Sequence, residues 1–198
     1  MLRSSNKERI LSIVTGGIVV ALSFILSNLK LFEMPMGGSV TPASIFPIVV
    51  YAVSFGPGWG FAAAVVYSIL QVISGLEWFV TPFQMVLDYV LGYTTLGIIG
   101  FAAMPKEERL KFSNPIKRFV NGSIIRTVIF TVISYVVRWF CSVLSGVIFY
   151  AEYAGDMNPW IYSMVYNGSF LAADLGVLLA VLIVMYFILS GAYKVQKD

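Results

Sequence analysis

The sequence predicts an all-α integral membrane protein with six transmembrane helices and both termini in the cytoplasm. Hydrophobic residues make up 59% of its 198 residues and charged residues only 12%, whereas soluble domains average about 25% charged residues. The apolar residues are gathered into long runs, and a helix needs about 20 such residues to cross a bilayer. Lysine and arginine lie mainly in every second connection between the runs, a pattern typical of cytoplasmic loops.

Six apolar segments are predicted to cross the membrane, at residues 10–29, 41–55, 59–75, 82–103, 118–150 and 160–193. The second segment is short, so five or seven crossings are the alternative. The fifth is long enough to tilt or to project beyond the bilayer. The sequence contains no internal repeat, and residues 1–198 are therefore predicted to form a single transmembrane domain.

The charges of the connections predict the orientation of the chain. Basic residues cluster before the first span, between the fourth and fifth spans and after the sixth: Arg3, Lys7, Arg9, Lys106, Arg109, Lys111, Lys117, Arg118, Lys194 and Lys197. The opposite connections carry Glu33, Glu77, Glu152 and Asp156, with Lys30 as their basic residue. Because cytoplasmic loops are enriched in lysine and arginine, both termini are predicted to be cytoplasmic.

Several features that enzymes use are missing from the sequence. The chain has no histidine, the commonest general base and metal ligand, and its single cysteine, Cys141, excludes an internal disulfide. It has no G-x-x-x-x-G-K-[ST], H-E-x-x-H or G-x-S-x-G motif. We therefore predict no catalytic residues, no metal site and no cofactor. The basic residues behind the net charge of +3 lie in the predicted cytoplasmic connections. We therefore predict that the chain contacts the lipid bilayer and binds no nucleic acid.

Four ionisable residues lie inside apolar runs: Asp88, Arg126, Arg138 and Asp174. Arg126 lies near the start of the fifth span, so its side chain can extend to the cytoplasmic interface. A charge at the centre of a spanning helix costs about 2.5–3.5 kcal/mol on insertion scales, so each of the other three should face protein or a water-filled cavity. Asp88 has Gln84 one turn earlier on the same face and is predicted to contact a ligand. A packing pair between Asp88 and Arg138 is the alternative. Asp174 is predicted to pair with Arg138.

Polar residues form a stripe along the fifth span. Arg138, Ser142, Gly146 and Tyr150 recur every four residues, so they share one helix face. This face is predicted either to line a cavity or to make a small-residue contact with another helix. In the first span, Gly17 and Ala21 form a small-xxx-small pair that either docks another membrane protein or packs within the chain.

Aromatic side chains crowd the connections opposite the basic clusters. They are Phe32, Trp78, Phe79, Tyr150, Tyr153, Trp160, Tyr162 and Tyr166. An aromatic belt at the membrane interface explains part of this set. Because acidic residues accompany the rings, the set also favours a flat, cationic ligand bound by stacking and cation–π contacts.

Four motifs resemble those of a known family. They are Met34-Pro35-Met36-Gly37-Gly38-Ser39-Val40 in the first outer connection, Leu87-Asp88-Tyr89 in the fourth span, Arg138 with Ser145-Gly146-Val147-Ile148-Phe149 in the fifth, and Trp160-Ile161-Tyr162-Ser163 with Tyr166-Asn167 opening the sixth. Together they make the chain similar to the thiamine-specific substrate-binding (S) components of energy-coupling factor (ECF) transporters, the ThiT/YuaJ family. The resemblance covers nearly the whole chain.

The resemblance implies the six-helix ECF S-component fold in the bacterial plasma membrane, with a high-affinity thiamine (vitamin B1) site near the outer face. It also implies an ECF transmembrane coupling subunit and two ATPase subunits as partners, which would hydrolyse the ATP. Uptake would then begin with capture of the vitamin and closure of the first outer connection as a lid. The Gly37–Gly38 pair is the expected hinge of that lid.

The resemblance also assigns residues to the site. Asp88 matches the acidic position that contacts the aminopyrimidine ring, and Tyr162 and Asn167 match positions that form hydrogen bonds with the same ring. Tyr150 matches an aromatic position that stacks on the ligand. Further matches to the wall of the site are Trp78, Tyr89, Arg138 and Gly146.

One residue departs from the family pattern and motivates an alternative. Family members usually carry a histidine one turn after the basic residue of the fifth span, where this chain has Ser142. The site is therefore expected to be roomier or to hold a water molecule, and a thiamine precursor or related heterocycle is the alternative ligand. An intramembrane enzyme with Asp88 and Asp174 as an acid/base pair is the alternative from another class.

Overall fold

Six main helices form the computed structural model, which describes residues 5–35, 37–75 and 81–193. They are α1 (Ser5–Ser27), α2 (Phe46–Phe55), α3 (Pro57–Ser74), α4 (Pro82–Ala102), α5 (Ile124–Phe149) and α6 (Pro159–Tyr193). Two short helices, Lys106–Arg109 and Pro115–Asn121, connect α4 to α5, and a 3-10 turn at Ala151–Ala154 follows α5. Some residues used in the predictions lie outside the described residues: Arg3, Met36, Glu77, Trp78, Phe79, Lys194 and Lys197.

A short antiparallel hairpin follows α1 and departs from the purely helical prediction. Its strands are β1 (Phe32–Glu33) and β2 (Ser39–Val40). The turn between them contains Gly37 and Gly38, whose φ angles are 80° and 84°. Glycine adopts these left-handed angles without the steric cost that a Cβ would bring. Both predicted hinge glycines therefore lie at the tip of the hairpin.

Five of the helices are long and apolar enough to cross a membrane: α1, α3, α4, α5 and α6. Helix α2 has only 10 residues, or about 15 Å of length, roughly half the hydrocarbon thickness. Eight of its residues are buried, because the other helices enclose it. Residues 41–45, which precede α2, are not helical. Of the second predicted span, 41–55, only Phe46–Phe55 is therefore helical.

Both ends of the described chain lie at the same end of the bundle. Near the start of α1, Glu8 binds Arg118 in the short helix before α5. Near the end of α6, the Tyr186 hydroxyl donates to the carbonyl of Val120 at 3.3 Å, in the same region. The chain therefore traverses the bundle an even number of times, which agrees with six predicted passes.

The start of α5 corrects the predicted fifth span of residues 118–150. The preceding short helix ends at Gly122 in an extended conformation, and Ser123 then caps a new helix that begins at Ile124. The Ser123 hydroxyl accepts a hydrogen bond from the Arg126 amide at 3.3 Å, which satisfies a free donor at the helix N-terminus. Local capping thus divides a segment whose hydrophobicity is continuous.

Helix α4 changes its winding along its length, although the sequence predicts one regular helix. It is α-helical at Pro82–Met85, π-helical at Val86–Leu91, α-helical at Gly92–Thr94 and 3-10 helical at Thr95–Ala102. The π-helical turn carries Asp88 and Tyr89. Turns of this kind are rare and occur often at functional sites.

The buried guanidinium of Arg118 joins α1 to the segment before α5. Arg118 is 0% exposed. Its Nη1 and Nη2 atoms both donate to the Glu8 carboxylate, the second at 2.8 Å, and its Nε donates to the Phe112 carbonyl at 2.9 Å. Burial, and then repulsion from Arg118, lower the pKa of the neighbouring Arg109. Glu8 therefore compensates a locally concentrated positive charge.

Glu8→Gln is expected to lower the thermal stability of the detergent-purified protein. The amide keeps the shape of the carboxylate but removes the charge that faces Arg118, and a buried guanidinium without its counter-charge costs about 1–3 kcal/mol. The midpoint of thermal unfolding, followed by near-UV circular dichroism, measures the loss. Glu107→Gln, at an exposed carboxylate of the α4–α5 connection, is the control, and equal midpoints for both variants would contradict the role of the pair.

Candidate functional site

One cavity brings together most of the residues predicted to bind the ligand. It has a volume of about 210 Å³ and is lined by the end of α1, the ends of α3 and α5, the starts of α4 and α6, and the hairpin. Eight of the predicted residues line it: Asp88, Tyr89, Arg138, Ser142, Gly146, Tyr150, Tyr162 and Asn167. Gly37 and Gly38 line it as well. Trp78, the remaining predicted residue, lies outside the described residues.

Two donors hold one oxygen of Asp88. Its Oδ2 accepts hydrogen bonds from Gln84 Nε2 at 2.9 Å and from Ser145 Oγ at 2.6 Å. Gln84 lies one turn earlier in α4, as the sequence indicates, whereas the contact between Asp88 and Ser145 of α5 is not predicted from the sequence. Ser142, also on α5, interacts with the same carboxylate. The carboxylate is thus fixed in orientation at the wall of the cavity.

Asp174 is satisfied by neutral donors and not by the arginine that the sequence analysis assigns to it. Its Oδ1 accepts from the backbone nitrogen and the Oγ1 of Thr41, both at 2.9 Å, and its Oδ2 accepts from the Tyr135 hydroxyl at 2.7 Å. No ion pair joins Asp174 to Arg138 among residues 5–35, 37–75 and 81–193. The predicted Asp174–Arg138 pair is therefore wrong, since three closer donors complete the carboxylate.

Arg138 faces aromatic rings. Its Cζ lies 4.1 Å from the centroid of the Tyr93 ring and 5.9 Å from that of Tyr135. The electron-rich faces of such rings attract a guanidinium, most strongly where water is scarce. In the described regions Arg138 makes no ion pair with Asp88 either, so the alternative of a packing pair is also wrong. Both charges remain at the wall of the cavity.

Gly146 lies where α5 and α6 approach each other closely. A Cβ at this position would come 2.1 Å from Ser163 Oγ, so any other residue displaces this hydroxyl from its hydrogen bond to the Val143 carbonyl. Beside it, Asn167 Nδ2 donates to the carbonyls of Ser142 and Ser163, at 3.3 and 3.0 Å. The polar stripe of α5 therefore combines both alternatives, because it lines the cavity and also makes a small-residue contact with α6.

Aromatic residues of α6 hold the tip of the hairpin over the cavity. The Tyr166 hydroxyl donates to the Gly37 carbonyl at 2.9 Å, and its ring stacks on Tyr162 with 5.9 Å between centroids. A Cβ on Gly38 would lie 2.7 Å from Phe170 Cε1, so the turn rests directly on that ring. Tyr166 and Phe170 also line the cavity. Tyr166 belongs to the predicted aromatic set, whereas Phe170 is not predicted from the sequence. Phe170 follows Tyr162 and Tyr166 at successive intervals of four residues, and this spacing is the signal that identifies it.

The donors around Asp174 weaken the hypothesis of an acid/base pair. Asp88 and Asp174 both line the cavity, but both oxygens of Asp174 already accept hydrogen bonds. A carboxylate in that state is a poor general base, because it must give up a bond before it takes a proton. These bonds therefore count against an acid/base role for the two carboxylates.

The small-residue pair of α1 lies on the surface of the bundle. Gly17 and Ala21 are both exposed, and a Cβ added to Gly17 would meet no atom within 4 Å. Exposed apolar side chains surround them on the same helix: Ile10, Ile13, Val14, Ile18, Leu22 and Ile25. In the described part of the chain, the pair therefore does not serve internal packing.

Comparisons with known proteins agree on one family. Two curated relatives are the thiamine transporter ThiT of Bacillus subtilis, 27% identical over 200 residues (98% of this chain and 99% of that protein), and ThiT of Lacticaseibacillus paracasei, 28% identical over 130 residues (63% and 62%). A solved structure of ThiT from Listeria monocytogenes matches with a TM-score of 0.72 and 23% identity, covering 94% of this chain and 97% of that one. The predicted all-α membrane fold is thereby confirmed.

The relatives also agree with the predicted location. Both curated relatives are named as transporters and not as enzymes. Together with the five long apolar helices, they confirm a multi-pass protein of the bacterial plasma membrane. The profile of the family described as thiamine transporter protein (Thia_YuaJ) matches residues 13–194. Because that match covers most of the sequence, the chain belongs to the thiamine transporter family, as its four motifs predict.

Proposed function

We propose that the chain is the thiamine-binding subunit of an uptake transporter and that thiamine binds in the cavity beneath the hairpin. The observation that carries this proposal is the carboxylate of Asp88, held in a fixed orientation in a cavity walled by aromatic rings. Thiamine joins an aminopyrimidine, whose amino group donates hydrogen bonds, to a flat thiazolium cation. A carboxylate complements the first group, and ring faces complement the second.

Other residues of the cavity complete this recognition. Asn167 uses its Nδ2 within the protein, and its Oδ1 is free of partners in the described regions, so it supplies a second acceptor for the aminopyrimidine. The stacked Tyr162 and Tyr166 rings offer a platform for a flat cation. The remaining contacts of the proposal are Tyr89, Arg138, Ser142, Gly146 and Tyr150, with Trp78 from the α3–α4 connection.

We also propose that the cavity opens to the outer face and that both termini are cytoplasmic. The basic residues between α4 and α5 lie at the opposite end of the bundle, together with Glu8 and Arg118, and basic ends face the cytoplasm. The hairpin would act as the lid, with Gly37 and Gly38 giving freedom to its turn.

The proposal assigns energy coupling to partners. The sequence lacks a phosphate-binding loop, and its family resemblance implies an ECF transmembrane coupling subunit with two ATPase subunits. The exposed pair of Gly17 and Ala21 on α1 is the proposed contact with the coupling subunit, because small residues let two membrane helices approach closely. Release of the vitamin would follow a movement driven by these partners.

Asp88→Asn is expected to weaken thiamine binding about tenfold to a hundredfold, because a hydrogen bond to a charged acceptor contributes about 1.5–3 kcal/mol. Isothermal titration of the detergent-purified protein, with pyrimidine and thiazole fragments alongside, measures the loss. Asn167→Ala should weaken binding as well. Glu152→Gln, which neutralises an exposed carboxylate outside the cavity, is the control, and unchanged affinity in Asp88→Asn would refute the proposed site.

Ser142→His is expected to narrow the range of ligands while thiamine itself still binds. Ser142 lines the cavity and is 8% exposed, so an imidazole there occupies space that a bulkier analogue would need. One extra methylene in a closed pocket changes binding by about 10- to 200-fold. Competition against thiamine by analogues with enlarged thiazolium substituents measures the effect. Ser74→His, at the rim of the same cavity, is the matched control, and equal ligand ranges would show that Ser142 does not set specificity.

Gly17→Leu combined with Ala21→Leu is expected to reduce thiamine uptake by cells at least tenfold, with binding by the isolated subunit unchanged. The leucines add bulk to an exposed face of α1 and disturb no internal contact of Gly17, but they keep a partner helix at a distance. Uptake of radiolabelled thiamine and co-purification of the coupling subunit are the measurements. Gly176→Leu, on the exposed surface of α6, is the control, and equal uptake in both variants would exclude this face as the contact.

A further inference from the structure

Asp174 lies on the same face of α6 as the residues that hold the hairpin. Tyr166, Phe170 and Asp174 follow one another at intervals of four residues, which places them one above another along the helix. Tyr166 and Phe170 contact the tip of the hairpin, at Gly37 and Gly38. Asp174 contacts its base, so one face of α6 holds the hairpin at both ends.

The contact at the base involves the backbone as well as a side chain. Thr41 directly follows β2, and the last hydrogen bond of the hairpin, from the Leu31 amide to the Val40 carbonyl, is 2.8 Å long. The next amide along, that of Thr41, donates to Asp174 Oδ1, as does the Thr41 hydroxyl. Ser44 Oγ lies 2.8 Å from the same hydroxyl. The base of the hairpin is therefore fixed to α6 through a single carboxylate oxygen.

The second oxygen of Asp174 binds a different element. Its Oδ2 accepts from Tyr135 on α5, and Tyr135 is not part of the cavity wall, whereas Thr41 and Asp174 are. The two oxygens thus serve separable purposes, since one holds the hairpin and the other holds α5 against α6. All three side chains are buried, with exposures of 3–6%, so water does not replace these bonds at low cost.

We propose that Asp174 is a positioning residue that holds the base of the lid and thereby sets the rate at which bound ligand leaves the cavity. The ligand part of this inference rests on the proposed thiamine site, whereas the anchoring of the hairpin does not. Opening the lid at its base requires the bonds to Thr41 to break. Removing them is therefore expected to accelerate ligand release and to leave the rate of ligand entry into an open cavity nearly unchanged.

Two variants that each remove one hydrogen bond to Asp174 separate this role from simple stabilisation. Thr41→Val removes the hydroxyl bond on the hairpin side, and Tyr135→Phe removes the bond on the α5 side. Thiamine release, followed after addition of excess unlabelled thiamine to protein in nanodiscs, is expected to accelerate about tenfold in Thr41→Val. It should stay within about threefold of wild type in Tyr135→Phe, even where that variant is less stable.

Three further variants test the chemistry at this point. Asp174→Ala removes all the bonds and is expected to release thiamine at least as fast as Thr41→Val. Thr41→Ser retains the hydroxyl that donates to Asp174, so its rate of thiamine release should match that of wild type. Asp174→Asn should also stay near wild type, because its amide oxygen accepts from Thr41 and its amide nitrogen donates to the Tyr135 hydroxyl. A fast-releasing Asp174→Asn would overturn the proposal in favour of a direct role for the negative charge.

A measurement without thiamine keeps the proposal independent of the proposed ligand. Amide hydrogen exchange of residues 31–41 in the empty protein is expected to accelerate in Asp174→Ala and Thr41→Val, and to remain at the wild-type rate in Tyr135→Phe. Exchange that is equally fast in Thr41→Val and Tyr135→Phe, or unchanged in Asp174→Ala, would refute the anchoring role. Failure of the wild-type protein to bind thiamine would instead remove the proposed function and leave this comparison valid.

Discussion

The arrangement of the cavity depends on how one buried carboxylate is satisfied. Within a bilayer, polar groups must find their partners inside the protein, because the hydrocarbon offers none. Asp174 meets this requirement with Thr41 and Tyr135, and so it joins the base of the hairpin to α5 and α6. These donors are neutral, and Arg138 is consequently left beside the rings of Tyr93 and Tyr135. Because Asp174 is satisfied by neutral donors, Arg138 and Asp88 both keep their charged groups at the cavity wall.

Asp88 is the residue most affected by this distribution of charge. If Arg138 formed an ion pair with Asp88, the carboxylate would carry its own counter-charge and would have little affinity for a cationic ligand. Gln84 and Ser145 instead fix one oxygen through hydrogen bonds, which orients the group without neutralising it. The π-helical turn at Val86–Leu91 supports this geometry, since the wider winding displaces Asp88 from the register of a regular helix. Asp88 thus supplies the negative charge, and Gln84 and Ser145 fix its orientation.

The sequence predicts the parts of this structure that hydrophobicity and spacing encode. The six helical segments follow from the apolar runs. The shared face of Arg138, Ser142 and Gly146 and the proximity of Gln84 to Asp88 follow from four-residue spacing. The start of α5 does not, because the Ser123 cap acts within a continuous apolar run. The hairpin has two residues in each strand, too few to show an alternating pattern. Ser145 and Thr41 are missed because their partners lie on other elements, and a hydroxyl gives no sign of which carboxylate it will meet.

The position of α2 separates the proposed ligand site from the proposed docking face of α1. Ile48, Val49 and Ala52 of α2 are 0% exposed, so this short helix fills the interior and α1 packs against it on one side. The opposite side of α1, with Gly17 and Ala21, remains on the surface. Only the end of α1, at Ser27, reaches the cavity wall. A partner that binds the middle of α1 would therefore contact neither Asp88 nor Asp174. Such a partner would act on the cavity by moving the bundle as a whole, because close-packed interiors transmit displacement with little local deformation.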